Sequence, residues 1–190
     1  MRRIILSVNL TLDGFVSGPD GELDWHFPHW DSEMSDYASE HLDKTDTLLL
    51  GRITYQAMAS YWPFQLNNPL FPRTDIPYAD MMNNHAKIVF SKTLAAAKWN
   101  NTTVLQKISA HEINQLKQQH GKCMLIYGSR SIAQAFINLK LVDEFMFWVH
   151  PVLIGRGVPL LTGLNRSLEM RLSKNTKFHS GVLVSHYSVA

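Results

Sequence analysis

The sequence predicts an α/β domain of three layers, helix on sheet on helix. Its central sheet is mixed but mainly parallel and ends in an antiparallel C-terminal hairpin. Three observations carry that prediction. Short apolar runs alternate with amphipathic segments, the order that parallel strands joined by crossover helices require. Near residue 168 the alternation stops, and two strand-like runs are joined by His179-Ser180-Gly181, which reads as a hairpin. A length of 190 residues, 45% of them hydrophobic, fits one domain over residues 1–190 with a substantial core.

The elements follow in order. Residues 3–10 (RIILSVNL) form the first strand, and residues 33–44 carry a helical pattern. Residues 47–50 (TLLL) are a short buried strand, followed by a helix over 53–61. Residues 62–77 hold four of the eight prolines. They read as a long irregular loop, which in a compact domain serves as a lid, a binding loop or an oligomer contact. Strands follow at 87–90 and 102–105, then a helix over 109–120. Its Ser109 and Glu112 have the spacing of a capping box. Residues 122–127 (KCMLIY) make another strand. In the helix over 131–140, Ile132, Phe136 and Leu139 share one face, so it packs on the sheet. Residues 144–149 complete the parallel set, and 168–178 and 182–189 form the hairpin.

Composition excludes several classes. A formal charge of +2 without any Lys/Arg run supplies no stripe for nucleic acid, although it suits an anionic small ligand. Cys123 is the single cysteine and lies in a strand, which leaves no intramolecular disulfide and marks an inert thiol. The N-terminal MRRIILSVNL is too short and too polar for a signal peptide. No apolar run approaches the ~20 residues of a membrane span. The expectation is a cytoplasmic protein.

Two turns bear glycine directly after a strand. Gly51-Arg52-Ile53-Thr54 follows TLLL, and Gly128-Ser129-Arg130-Ser131 follows KCMLIY. Each places small residues, an arginine and backbone N–H groups at a helix start, where phosphate is favoured. Neither is a Walker loop or a GxGxxG turn, and either alone is also a plain βα turn. Ser91-Lys92 ends a further strand and reads as a ribose-phosphate contact or as a solvated turn. After the first strand, residues 12–25 carry Gly14, Gly18 and Gly21, a mobile loop that is either a surface excursion or a flap over a flat ring. His26 and His29 have no third ligand nearby in sequence, so no metal is expected.

In this order the motifs form a pattern. SVNLTLDGFVSGPDGELDW, LLLGRITYQAM, VFSKTL, LIYGSRSIAQAF and LVDEFMFWVHPVLIGRGVPLL together resemble the dihydrofolate reductase superfamily. Within it, they are most similar to stand-alone proteins of the branch that includes the reductase domain of the bifunctional riboflavin-biosynthesis deaminase-reductase. The resemblance implies an NADPH-dependent reductase that passes a hydride to a C=N or C=O carbon of a pterin-, pyrimidine- or similar heterocyclic substrate. Carried over by position, Gly51, Arg52 and Thr54 seat phosphate, with Arg52 favouring the 2′-phosphorylated cofactor. Ser91 and Lys92 approach the adenosine ribose. Gly128, Ser129, Arg130, Ser131 and Ile132 cradle the pyrophosphate, and Leu10, Thr11, Asp13 and Gly14 border the nicotinamide. Trp25, Phe27 and Trp30 shape the substrate pocket, and the proton donor is sought among Asp31, Glu33 and Asp36, with Asp31 and Glu33 preferred. Phe15 replaces a lysine usual in the riboflavin-pathway domain, which leaves the substrate open. The resemblance also implies a homodimer through residues 149–161. A non-catalytic dinucleotide-binding or assembly module of the same fold is the alternative.

Overall fold

The computed structural model describes residues 1–165 and 167–190. Its strands are β1 (Ile4–Thr11), β2 (Phe15–Ser17), β3 (Thr45–Gly51), β4 (Ala86–Phe90), β5 (Thr102–Leu105), β6 (Cys123–Tyr127), β7 (Glu144–His150), β8 (Val158–Pro159), β9 (Met170–Lys177) and β10 (Leu183–Val189). Its helices are α1 (Ser32–Asp43), α2 (Arg52–Ala59), α3 (Trp62–Gln65), α4 (Ile76–Asn84), α5 (Ala110–Gln118) and α6 (Arg130–Asn138). Eight strands form one sheet in the order β5-β4-β3-β6-β1-β7-β10-β9. From β5 to β7 every pairing is parallel, and β10 runs antiparallel to both β7 and β9. This is a dihydrofolate-reductase-like arrangement with the expected C-terminal hairpin.

Side chains alternate along each inner strand, and both faces are buried, as a covered parallel sheet demands. Ile4, Leu6 and Val8 of β1, Leu49 of β3 and Met124 and Ile126 of β6 join one core. Ile5, Leu48, Leu50 and Leu125 join the other. Helix α1 covers that second face with Met34, Ala38 and Leu42, four residues apart on one stripe, beside Tyr78 and Met82 of α4. Helices α5 and α6 cover the first face through Ile113, Ile132, Ala133, Phe136 and Ile137. Leu139, expected on that stripe, is 42% exposed because α6 ends one residue earlier and Leu139 is its C-cap. Ser109 caps α5 as expected, accepting from Glu112 N at 3.4 Å.

Two expectations change. Residues 62–77 are not one irregular loop: they contain α3, a 3-10 turn at Arg73–Asp75 and the start of α4. Pro63 and Pro77 lie in first helical turns, where a missing N–H costs no intrahelical bond. The loop after β1, expected to be mobile, is fastened to residues 152–159. Leu12 N donates to Val152 O at 2.9 Å, and β2 pairs with β8. Gly157 is required there, since a Cβ on it would lie 2.4 Å from the Ser17 carbonyl oxygen. No described helix is long and apolar enough to cross a membrane.

Candidate active site

Parallel strands deliver their carboxyl ends to one edge of the sheet, and ligands of open α/β sheets bind there. The neighbours β4, β3, β6 and β1 lead, in that order, into Ser91-Lys92, Gly51-Arg52, Gly128-Ser129 and Thr11–Gly14. Four segments distant in sequence therefore stand side by side along this edge.

The two glycine turns touch. Gly51 N donates to Ser129 Oγ at 3.0 Å, and a Cβ on Gly51 would meet that oxygen at 2.4 Å. Only glycine permits this approach. Ser129 is the N-cap residue of α6, yet its hydroxyl is drawn across to β3, so no side chain caps α6. Helix α2 is likewise uncapped, because its N-cap is Gly51. First-turn N–H groups have no intrahelical acceptor, so both helix starts present free donors. By contrast α1 and α5 are closed by Asp31 and Ser109. Gly128 adopts φ +63°, with open space where a Cβ would project. Arg52 is exposed, donates to Gln56 Oε1 at 2.9 Å and belongs to no ion pair among the described residues. These features suit an extended anion.

The other predicted residues fall into two groups. Thr54 lies in the first turn of α2, Ser131 is exposed at the start of α6, and Ile132 is buried beneath it. Ser91 Oγ accepts from Thr93 N and Leu94 N at 3.1 and 3.0 Å, and Lys92 is exposed beside it. Arg130 is committed to its own chain, donating to Pro159 O at 2.8 Å and Thr162 Oγ1 at 2.7 Å. Thr11 Oγ1 accepts from Phe15 N, and Asp13 accepts from Gly155 N at 2.7 Å and Ile154 N at 3.2 Å. The Thr11 hydroxyl and these backbone bonds hold the Asp13 carboxyl below its usual range, against a smaller opposing effect of desolvation. Leu10, next to the end of β1, is half-buried, and Gly14 turns at φ +83° into open space.

Beside this edge lies a cavity of about 490 Å³, within the range of small-molecule sites. Phe27, Trp30, Tyr61, Trp62, Phe71, Tyr78 and Tyr127 make its walls, and Asn9, His26, Ser35 and Asp75 supply polar groups. Tyr127 immediately precedes the Gly128 turn, so the cavity abuts the glycine turns. Tyr78 and Tyr127 share a hydrogen bond of 2.6 Å between hydroxyls. Burial raises both hydroxyls, Tyr78 well above the phenol range, so each keeps its proton and one O–H remains to donate elsewhere. Asn9 Oδ1 contacts His150 Nε2 at 3.1 Å. Burial, then the charges of His26 and His29, pushes His150 down to about 4. An amide oxygen can only accept, so in this pairing the ring carries its proton on Nε2, and the Asn9 amide N–H₂ is left to donate elsewhere.

Of the three aromatic residues singled out in the sequence, Phe27 and Trp30 line this cavity and Trp25 does not. It packs edge-on to His150, 5.2 Å between centroids, and borders a separate cavity formed with Gly18, Pro19, Asp20, Glu22, Asp24, Ile154 and Arg156. Asp31 accepts from Met34 N at 2.9 Å as the α1 cap. Glu33 contacts His179 at 3.0 Å on the surface, and Asp36 is exposed. None of the three lines the cavity; its carboxylate is Asp75, which sequence reasoning passed over inside the proline-rich stretch. A further groove of about 540 Å³, near the start of β7, contains no predicted site residue.

Fold and site together define a dihydrofolate-reductase-like α/β protein with two uncapped glycine turns beside an aromatic cavity. The chain belongs to the RibD C-terminal domain family, whose model matches residues 2–184. Among curated relatives, the uncharacterized protein YyaP of Bacillus subtilis (strain 168) is 34% identical over 189 residues, 98% of this chain and 96% of YyaP. A Shewanella sp. PV-4 protein provisionally assigned to riboflavin biosynthesis shares the fold with TM-score 0.76 and 21% identity, covering 100% of this chain and 99% of that one. The Thermotoga maritima diaminohydroxyphosphoribosylaminopyrimidine deaminase / 5-amino-6-(5-phosphoribosylamino)uracil reductase matches with TM-score 0.67 and 13% identity; all of this chain aligns to 57% of it. Dihydrofolate reductase of Enterococcus faecalis, complexed with NADP(H), matches with TM-score 0.64 and 15% identity over 98% of this chain and 96% of its own.

Proposed function

We propose that the protein is an NADPH-dependent reductase acting on a C=N or C=O bond of a pterin- or pyrimidine-like heterocycle. Family membership supports an oxidoreductase. The observation that carries the finer reading is the contact of the two uncapped glycine turns through Gly51 and Ser129, next to an aromatic cavity at the same sheet edge. Bound there, NADPH supplies a hydride to the substrate carbon, and a proton must reach the adjoining nitrogen or oxygen. The chain provides placement more than reactive groups. Gly51, Thr54 and the start of α6 would hold phosphates, Arg52 the 2′-phosphate, and Ser91 and Lys92 the ribose end. Thr11 and Gly14 would border the nicotinamide, and the aromatic walls would exclude water and fix the ring plane.

The test is a titration with NADPH and NADH followed by tryptophan fluorescence, on the native protein and on Arg52→Ala. Loss of a hydrogen bond to a charged group lowers affinity about 10- to 100-fold, so the variant should lose that much for NADPH and little for NADH. Equal losses for both dinucleotides, or no binding of either by the native protein, would defeat the reading.

A further inference from the structure

The aromatic cavity has an uneven charge inventory. Among the described residues its only acidic lining residue is Asp75, and neither lysine nor arginine lines it. Arg73, two residues earlier, is exposed and outside the lining. His26 is held below its usual range chiefly by burial, so it adds no cation at neutral pH. Asp75 is placed with care. It precedes α4 as the N-cap residue but makes no capping bond. Instead Oδ1 accepts from Ser35 Oγ at 3.0 Å, with Thr74 Oγ1 at 3.5 Å, while no described donor reaches Oδ2. In the same lining, the Asn9 amide offers N–H groups because its oxygen is taken by His150.

A phosphate entering this cavity would meet a carboxylate and aromatic faces, with no cation among the described lining residues to offset its desolvation. A flat ring would meet stacking walls, an acceptor at Asp75 and a donor at Asn9. We infer that the cavity takes a phosphate-free nitrogen heterocycle whose ring N–H or amino group donates to Asp75 while a carbonyl or ring nitrogen accepts from Asn9. This inference rests on the reductase reading for the chemistry done there. It separates this chain from the phosphoribosylated substrate named for the Thermotoga maritima enzyme.

The experiment compares two ligands sharing one ring, 5,6-diaminouracil and 5-amino-6-(5-phosphoribosylamino)uracil. Binding to the whole protein is measured by calorimetry with and without NADPH, so the readout is affinity and not turnover. The bare ring should bind at least about tenfold tighter than its phosphoribosyl derivative, one hydrogen-bond or charge contact's worth of discrimination. Asp75→Asn should weaken the bare ring about 10- to 100-fold and leave NADPH affinity unchanged. Ser35→Ala should weaken it less; it also serves if Asp75→Asn does not fold. Preference for the phosphorylated compound, no binding of the bare ring, or unchanged affinity in these variants would each overturn the inference. Binding of the bare ring by a protein that ignores NADPH would uphold the cavity's selectivity and defeat the reductase reading alone.

Discussion

Substituting Gly51 by alanine tests whether the two glycine turns form one unit. At φ −85° the backbone accepts alanine, so the cost arises from contact alone. The new Cβ would lie 2.4 Å from Ser129 Oγ and 3.3 Å from Ile132 Cγ1. Two relaxations are open. Ser129 can rotate its hydroxyl away, which strands the buried Gly51 N–H and costs about 1–3 kcal/mol. Alternatively the turns can separate, with an overpacking cost also of about 1–3 kcal/mol. Either route predicts a loss of that size, read as a lower urea midpoint at unchanged slope with tryptophan fluorescence as the probe. Ser129→Ala removes both the colliding oxygen and the acceptor, so it should cost about as much by itself. The double variant should then resemble Ser129→Ala, with the two losses far from additive. Additive losses, or a Gly51→Ala protein within about 0.5 kcal/mol of native, would refute the contact.

His150 predicts an acid limb in the stability profile. Its pKa is about 4 when folded, against 6.5 for an unperturbed histidine, so between those values the unfolded chain binds a proton that the folded one does not. Stability should be full above pH 6.5 and fall by about 3 kcal/mol as the pH drops to 4. His41, also pushed to about 4 chiefly by burial, adds a parallel loss, so His150→Gln should remove roughly half of the slope. An unchanged slope in that variant would show that His150 is not buried as a neutral ring. For the loop after β1, Asp13→Ala should speed amide hydrogen exchange at Ile154 and Gly155, whose N–H groups it accepts. Because the Asp13 carboxyl lies below its usual range, the native protein should keep that protection until well into acid. Equal exchange in native and variant proteins would remove Asp13 as the fastener.

The sheet was legible because its strands are buried on both faces and read as continuous apolar runs. Leu48-Leu49-Leu50 alternates between two cores without any polar interruption. The glycine turns were legible for the same reason: each punctuates such a run. Their contact was not, since it depends on β3 lying next to β6, and no local signal gives strand order. Helix α4 was hidden by proline density, although Asp75-Ile76-Pro77 carries the N-cap-and-proline signature of a helix start and Tyr78 and Met82 its apolar spacing. With α4 went Asp75 and Tyr78, and with them the cavity's acidic wall. Asp31 and Glu33 were reasonable acids by position, but the first serves α1 as a cap and the second reaches His179, contacts that only the folded chain discloses.

The division of labour between sheet edge and cavity has an evolutionary consequence. The proposed dinucleotide contacts sit on strand ends of the parallel core, where Gly51 and Ser129 tolerate little exchange. Much of the cavity wall, from Tyr61 through Tyr78, belongs to the excursion between β3 and β4, which adds no strand to the sheet. Mutations in that excursion can recast ligand preference while the proposed dinucleotide contacts are inherited intact. Grafting residues 61–78 between relatives such as this chain and YyaP should therefore carry substrate range with it and leave dinucleotide choice behind.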